Sequence, residues 1–197
     1  MSSREVMTLT DGNPSTIPSD PLDGPRFIAD VMLGRLARWL RLIGLDVRYD
    51  NRWDDRTIVR LAVREERVVL TRDHELLGSL ARRAASEGLL IDSDRLAEQL
   101  RQVLDAFRIE PERLRPFRRC SSCNEIVEPV ARELLQGRVP PYVLRTQRRF
   151  SRCPACARVY WAGTHHGLVL RHLRRLLGED DDTGGGGQKL DGNEGEP

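Results

Sequence analysis

The sequence predicts an α/β domain with a parallel sheet flanked by helices, followed by a small cysteine-bearing module. Three observations predict this. Between residues 26 and 112, short, fully apolar runs alternate with amphipathic stretches, the pattern of strands buried on both faces and of the helices that cover them. Three of the apolar runs stop on an acid: "FIAD" at Asp30, "VVLTRD" at Asp73 and "LLID" at Asp92. The four cysteines, Cys120, Cys123, Cys153 and Cys156, fall into two C-x-x-C pairs beyond that region.

Residues 1–25 are rich in Ser, Thr, Pro, Asp and Gly without periodicity, and are expected to be disordered. The domain of residues 26–112 opens with a strand over Arg26–Asp30. Leu33, Leu36, Ala37, Leu40 and Ile43 then recur at helical spacing, Gly44 suits the C-cap, and Arg35, Arg38 and Arg41 fall on the other side. "LDVRY" reads as the second strand, with Asp50 as a turn residue. Asp54 and Asp55 precede a helix carrying Ile58, Leu61 and Ala62. "RVVL" is the third strand, and Asp73 begins a helix with Leu76, Leu77, Leu80, Ala81 and Ala84, closed by Gly88. "LLI" is the fourth strand, and Asp94 caps a last helix with Leu96, Leu100, Val103 and Leu104. Residues 113–178 form the cysteine module with a C-terminal helix, and residues 179–197 an acidic, Gly-rich tail expected to be disordered. No apolar run approaches a membrane span and no secretory pattern opens the chain, so a cytoplasmic protein is expected.

The formal net charge of +2 hides a split. Arg26 to Glu112 holds 16 arginines and 16 acids, whereas Arg113 to Gly178 holds 14 arginines and 3 acids, a net +11. A basic segment of this kind is an electrostatic footprint for a polyanion. The single lysine, Lys189, shows a bias toward arginine, but bias does not explain the loss of acids from one segment.

In an open α/β sheet, sites form outside the C-terminal ends of the strands. Asp30, Asp73 and Asp92 lie at that edge, and Asp54 and Asp55 reach it where the second helix begins. Converging carboxylates raise one another's pKa unless a cation joins them. Magnesium or manganese, hard ions with oxygen ligands, are the natural partners, and such a site supports hydrolysis of a phosphodiester. The competing reading is that each Asp is a helix N-cap. Thr71, beside Asp73, offers a hydroxyl that orients a carboxylate.

"FIADVMLGRLARWLRLIGLDVRY" and "DDRTIVRLAVREERVVLTRDHELL" closely resemble the Mut-seven-C ribonuclease domain family, a branch of the PIN-like nucleases. The "D-x-M-L-G-R-L-A-R-W-L-R" run and "T-R-D" carry the resemblance, which extends to a C-terminal zinc ribbon. It implies a PIN-like parallel sheet and catalytic acids Asp30, Asp55 and Asp73 holding one or two Mg or Mn ions, with Asp55 preferred to Asp54 from "D-R-T-I". For a fourth acid, Asp92 fits the strand-end pattern and Glu75 competes with it. Arg35 and Arg38, one and two turns after Asp30, hold the scissile phosphate or form a solvated face. Trp39 belongs to the core or an interface.

"CSSC" and "CPAC", with 29 residues between Cys123 and Cys153, are the two knuckles of a zinc ribbon. Four thiolates leave no open position for water, so one structural zinc per chain is expected. Tyr160 and Trp161 stack on bases or pack the ribbon. His165 is a candidate phosphate contact, as are Arg171, Arg174 and Arg175 on a final helix. Arg145, Arg148, Arg149 and Arg152 surround Phe150, a basic and aromatic interleaving that fits backbone attraction plus stacking.

The expected activity is a divalent-metal-dependent ribonuclease that hydrolyses RNA with a metal-activated water, its RNA gripped by the basic ribbon. The alternative is a non-catalytic zinc-ribbon nucleic-acid-binding protein whose carboxylates are helix caps. A small-ligand α/β domain is disfavoured because no Gly-rich loop follows the first strand. With water as nucleophile the mechanism admits RNA and DNA alike, and the family resemblance favours RNA. No residue pattern identifies a protein inhibitor or antitoxin-like partner.

Overall fold

The computed structural model describes residues 6–7, 24–83, 86–161, 167 and 171. Its first sheet has the strand order β1-β5-β4-β2-β3, built from β1 (Val6–Met7), β2 (Phe27–Ala29), β3 (Val47–Arg48), β4 (Val68–Thr71) and β5 (Gly88–Leu90). β2 to β5 run parallel, and the chain reverses its direction of travel across the sheet between β2 and β4. β1 pairs antiparallel with β5 and was not foreseen from the sequence; it is a two-residue strand within the stretch expected to be disordered. The rest of that stretch up to Asp23, the tail 179–197, and Ala84 lie outside the described residues.

Alternation along the strands explains the layers. Phe27, Ala29, Val68 and Leu70 point to one face, where α1 (Gly34–Leu42) and α4 (Leu96–Ala106) bring Leu36, Leu40, Leu100 and Val103. Ile28 and Val69 point to the other, against Ile58 and Ala62 of α2 (Asp55–Glu65) and Leu76 and Leu80 of α3 (His74–Arg83). The central strands β2 and β4 are therefore apolar up to their last residues, because both of their faces are covered, whereas the edge strand β3 ends on Arg48.

Three local expectations change. Gly88 does not close α3 but opens β5, where a Cβ would come within 2.6 Å of the Leu77 side chain. Asp94 does not cap α4: it pairs with Arg72, while the Ser93 hydroxyl accepts from the Arg95 amide (3.0 Å) and donates to Glu98 (2.6 Å). Arg41 leaves the solvated stripe of Arg35 and Arg38 and is buried. Gly44 does end the helical segment, with φ +99°, and a Cβ there would meet the Arg115 carbonyl at 2.5 Å.

That contact belongs to a seam between the sheet domain and the cysteine module. The Arg41 guanidinium donates to the carbonyls of Val47 (2.8 Å) and Ser122 (2.7 Å). Asn124 accepts from the Val47 amide (3.0 Å) and donates to Asp46 (2.7 Å), which in turn pairs with Arg67 (2.6 Å). The amides of Arg115 and Phe117 donate to the carbonyls of Ile43 (3.0 Å) and Leu42 (2.8 Å). Burial alone would raise the Asp46 carboxyl, but hydrogen bonds and charge from Arg67, with Asn124 and Arg119, outweigh it and hold it below its ordinary value.

Beyond the seam, β6 (Glu128–Pro129), β7 (Phe150–Arg152) and β8 (Val159–Trp161) form an antiparallel sheet. The β6–β7 connection carries a short helix, α5 (Pro141–Thr146), and a separate small core of Leu135, Val139, Val143 and Phe150. Among the described residues, no helix is long and apolar enough to cross a membrane.

Candidate functional site

The acid-bearing edge lies where β2 and β4 separate in connectivity, the switch point at which doubly wound sheets place ligands. Asp30 follows β2 directly, is only 4% exposed, and its amide donates to the Leu70 carbonyl of β4 at 2.9 Å. Thr71, fully buried at the end of β4, donates its hydroxyl to Asp30 Oδ2 (2.8 Å) and accepts from the Asp73 amide (2.9 Å). The hydroxyl thus orients the acid on the neighbouring strand and fixes the backbone of the acid on its own. "T-R-D" signals the second role; the first depends on parallel register, which brings Ala29 opposite Leu70.

Asp73 caps α3: its Oδ1 accepts from the amides of Glu75 (2.7 Å) and Leu76 (3.3 Å). Its other oxygen takes no protein hydrogen bond among the described residues. Asp54 caps α2 by accepting from the Thr57 amide at 2.9 Å, and Asp55, the first residue of that helix, keeps its carboxylate without a hydrogen bond among the described residues. Asp55 is largely exposed, yet partial desolvation, and then the charges of Asp73, Asp30, Asp54 and Glu75, raise its carboxyl above the ordinary range. Strands β2 and β4 and the helices α2 and α3 thus bring Asp30, Asp55, Asp73 and Glu75 into one electrostatic cluster.

Asp92 stands apart: it is exposed, and its carboxylate and amide are engaged by Gln102 (3.3 and 3.2 Å). Arg35 and Arg38 are exposed on α1 without an ion pair among the described residues. Asp50 is the turn residue expected, accepting from the Arg52 amide at 3.0 Å, and its carboxyl is lowered to about 2 by Arg52.

The cysteine cluster is tighter. All four ligand sulfurs lie within 4.8 Å of one another, the one such group of His, Cys, Asp or Glu among the described residues. Cys120 and Cys156 are 3.5 Å apart, and Cys123 and Cys153 3.4 Å. Around a tetrahedral ion with bonds of ~2.3 Å, sulfurs stand ~3.8 Å apart, so the set fits zinc. The two knuckles have the same build. In each, the second cysteine's amide donates to the first sulfur (3.5 Å), and the next residue, Asn124 or Ala157, has positive φ and donates its amide to the first cysteine's carbonyl (2.9 and 3.0 Å). Burial alone would raise the Cys120 thiol; the Tyr160 hydroxyl at 3.0 Å and the amides of Cys123 and Ser122 more than offset it and bring it to about 6. Burial and the adjoining sulfurs push Cys123 up to about 12, so the cluster needs a cation to ionise together.

Two expected base-stacking side chains have other work. Tyr160 packs on the knuckle through Cys120, and Phe150 is buried in the small core, 5% exposed. Around Phe150, Arg145, Arg148, Arg149 and Arg152 are all exposed. His165, Arg174 and Arg175 lie outside the described residues, and Arg171 is exposed.

A curated human protein named exonuclease mut-7 homolog is 31% identical over 248 residues, an alignment that covers 88% of this chain and 28% of the relative. This chain thus spans well under a third of that protein's length. No solved structure matches. The family model described as Mut7-C RNAse domain matches residues 25–173, which takes in the acid cluster, the seam and both knuckles. The chain belongs to the Mut7-C RNAse domain family.

Proposed function

We propose that this chain is a divalent-metal-dependent ribonuclease that hydrolyses RNA phosphodiesters with water as nucleophile. Membership of a nuclease family supports the reaction class. The observation that carries the reading is the placing of Asp30 and Asp73, just past the ends of the adjacent strands β2 and β4, near enough to Asp55 that, after partial desolvation, their charges are the next causes raising its carboxyl. Such a set costs stability unless a cation completes it.

Asp30, Asp55 and Asp73 would hold one or two Mg or Mn ions, with Glu75 favoured over Asp92 as the fourth acid. A bound divalent cation supplies charge neutralisation on the phosphate and a more acidic water. Thr71 keeps Asp30 in one orientation. The α3 cap holds Asp73 by one oxygen and leaves the other for a ligand. Arg35 and Arg38 draw the scissile phosphate toward the acids. The sulfurs would hold one zinc, whose part is structural, since no coordination position remains for water. Arg148, Arg149 and Arg152 supply backbone attraction to RNA.

The test is cleavage of labelled total RNA with manganese, with and without chelator. Wild type should cut only with metal, and Asp30→Asn and Asp73→Asn should not cut. Wild-type rates in both variants would move the chemistry away from these acids, and no metal-dependent cutting by wild type would transfer the protein to the non-catalytic, nucleic-acid-binding class.

A further inference from the structure

The β6–β7 connection carries more than a loop needs. Between Ala131 and Arg152 stand six arginines and a single acid, Glu133. All six are exposed, and none is paired with a carboxylate among the described residues. Beneath them, Leu135, Val139, Val143 and Phe150 close a core of their own, which fixes the segment as a small platform. Two large apolar side chains are left on its surface: Leu134, 67% exposed, and Tyr142, 62% exposed.

Tyr142 sits in the first turn of α5, just after Pro141, with Arg145 one turn further on. The residues around it in the chain line an open groove of ≈ 550 Å³, formed by Val139, Pro140, Pro141 and Leu144 together with the Gln136–Arg138 segment. An exposed aromatic on α5, a largely apolar groove lined by its chain neighbours and unpaired guanidinium groups along the same connection suit a chain of anionic links and flat bases. A protein partner of ordinary composition would not call for six uncompensated cations.

We propose that Tyr142 is a base-stacking residue and that the α5 platform is a single-stranded RNA-binding surface, with Arg138 and Arg145 on flanking phosphates. The proposal rests on the reading of this chain as an RNA-directed protein and adds the element that selects single strands. Phe150 is the aromatic that the basic sequence context suggested; the fold buries it as the floor of the platform and presents Tyr142 in its place. Stacking needs an unpaired base, so duplex RNA gains only the electrostatic part.

The experiment is a fluorescence-anisotropy titration of the full chain with a short labelled single-stranded RNA, a duplex of the same sequence and a strand carrying abasic sites. Calcium replaces magnesium so that binding is read without cutting. Tyr142→Ala should weaken single-strand affinity about tenfold, leave duplex affinity alone and leave the salt slope unchanged. Tyr142→Trp should restore it, and wild type on the abasic strand should match Tyr142→Ala. Arg145→Ala should instead flatten the slope of log K against log salt by about 0.7. Wild-type single-strand affinity in Tyr142→Ala, or equal losses on single strand and duplex, overturns the proposal and leaves the surface to a protein partner. The outcome is independent of catalysis: a protein that never cuts but shows the Tyr142 pattern loses the nuclease reading alone, and one that cuts without the pattern loses this inference alone.

Discussion

Asp73 answers both questions its position raises. A strand-end acid can cap a helix or take part in chemistry, and here one oxygen caps α3 while the other takes no protein hydrogen bond among the described residues. Asparagine caps as well as aspartate, so Asp73→Asn should keep unfolding free energy within about 0.5 kcal/mol of wild type by urea denaturation while abolishing cleavage. Asp54→Ala should do the opposite, losing about 1 kcal/mol of cap energy with cleavage largely kept, since Asp54 spends its oxygen on Thr57. The pH dependence follows from Asp55. Its folded-state pKa is raised above the unfolded value, so without metal, stability is higher on the acid side and falls as pH rises through that window. A divalent ion offsets the loss. Adding Mg or Mn should therefore raise the melting temperature at neutral pH, and the gain should vanish as pH falls below the raised pKa. A gain independent of pH would place the ion elsewhere.

At the scale of elements, the parallel strands were legible because burial on both faces leaves runs such as Val68–Leu70 with no polar interruption. The positions of Asp30 and Asp73 were legible for the same reason, since each follows such a run, whereas Asp55 opens α2 and Glu75 lies within α3. β1 was not, because two residues held only by pairing along the β5 edge leave no periodic pattern. Arg41 was misread for a different reason. Helical spacing sets it beside Arg38, but what buries it is the arrival of Ser121 and Ser122, 80 residues and more along the chain. Phe150 shows the same limit, as interleaved arginines reveal composition and not which side chain turns inward. The seam has its own test. Arg41→Ala leaves buried carbonyls without their charged donor and should cost about 3 kcal/mol, against little change for Arg38→Ala. Acid should loosen the seam too: the depressed Asp46 pKa gives stability that is present above its unfolded value, near 3.8, and lost as pH falls through the lower folded one. Asp46→Asn should remove that part of the acid transition in a pH titration of stability.

For the molecule as a whole, the charge split now has a physical layout. The neutral sheet domain carries the acid cluster and the basic module carries the platform. They are joined by buried hydrogen bonds instead of a free linker. Stripping zinc with a strong chelator should therefore unsettle both parts. Calorimetry is expected to show one cooperative transition moved to lower temperature, with Cys153→Ser behaving alike. A sheet-domain transition unmoved by zinc removal would show the two to be energetically separate. Legibility stops at this scale, because charge counts separate two stretches of sequence and carry no sign of the hydrogen bonds that join them.

If the chain grips and cuts RNA as proposed, the welded seam would make it a ruler. A flexible tether between grip and blade would scatter cuts over a range of distances from the point of capture. A fixed span allows one distance, set by the arc of RNA that bridges Tyr142 and Asp73. Cleavage should then fall at a constant offset from the nucleotide that photocrosslinks near Tyr142. Arg41→Ala, by loosening the joint, should blur the offset before it lowers the rate.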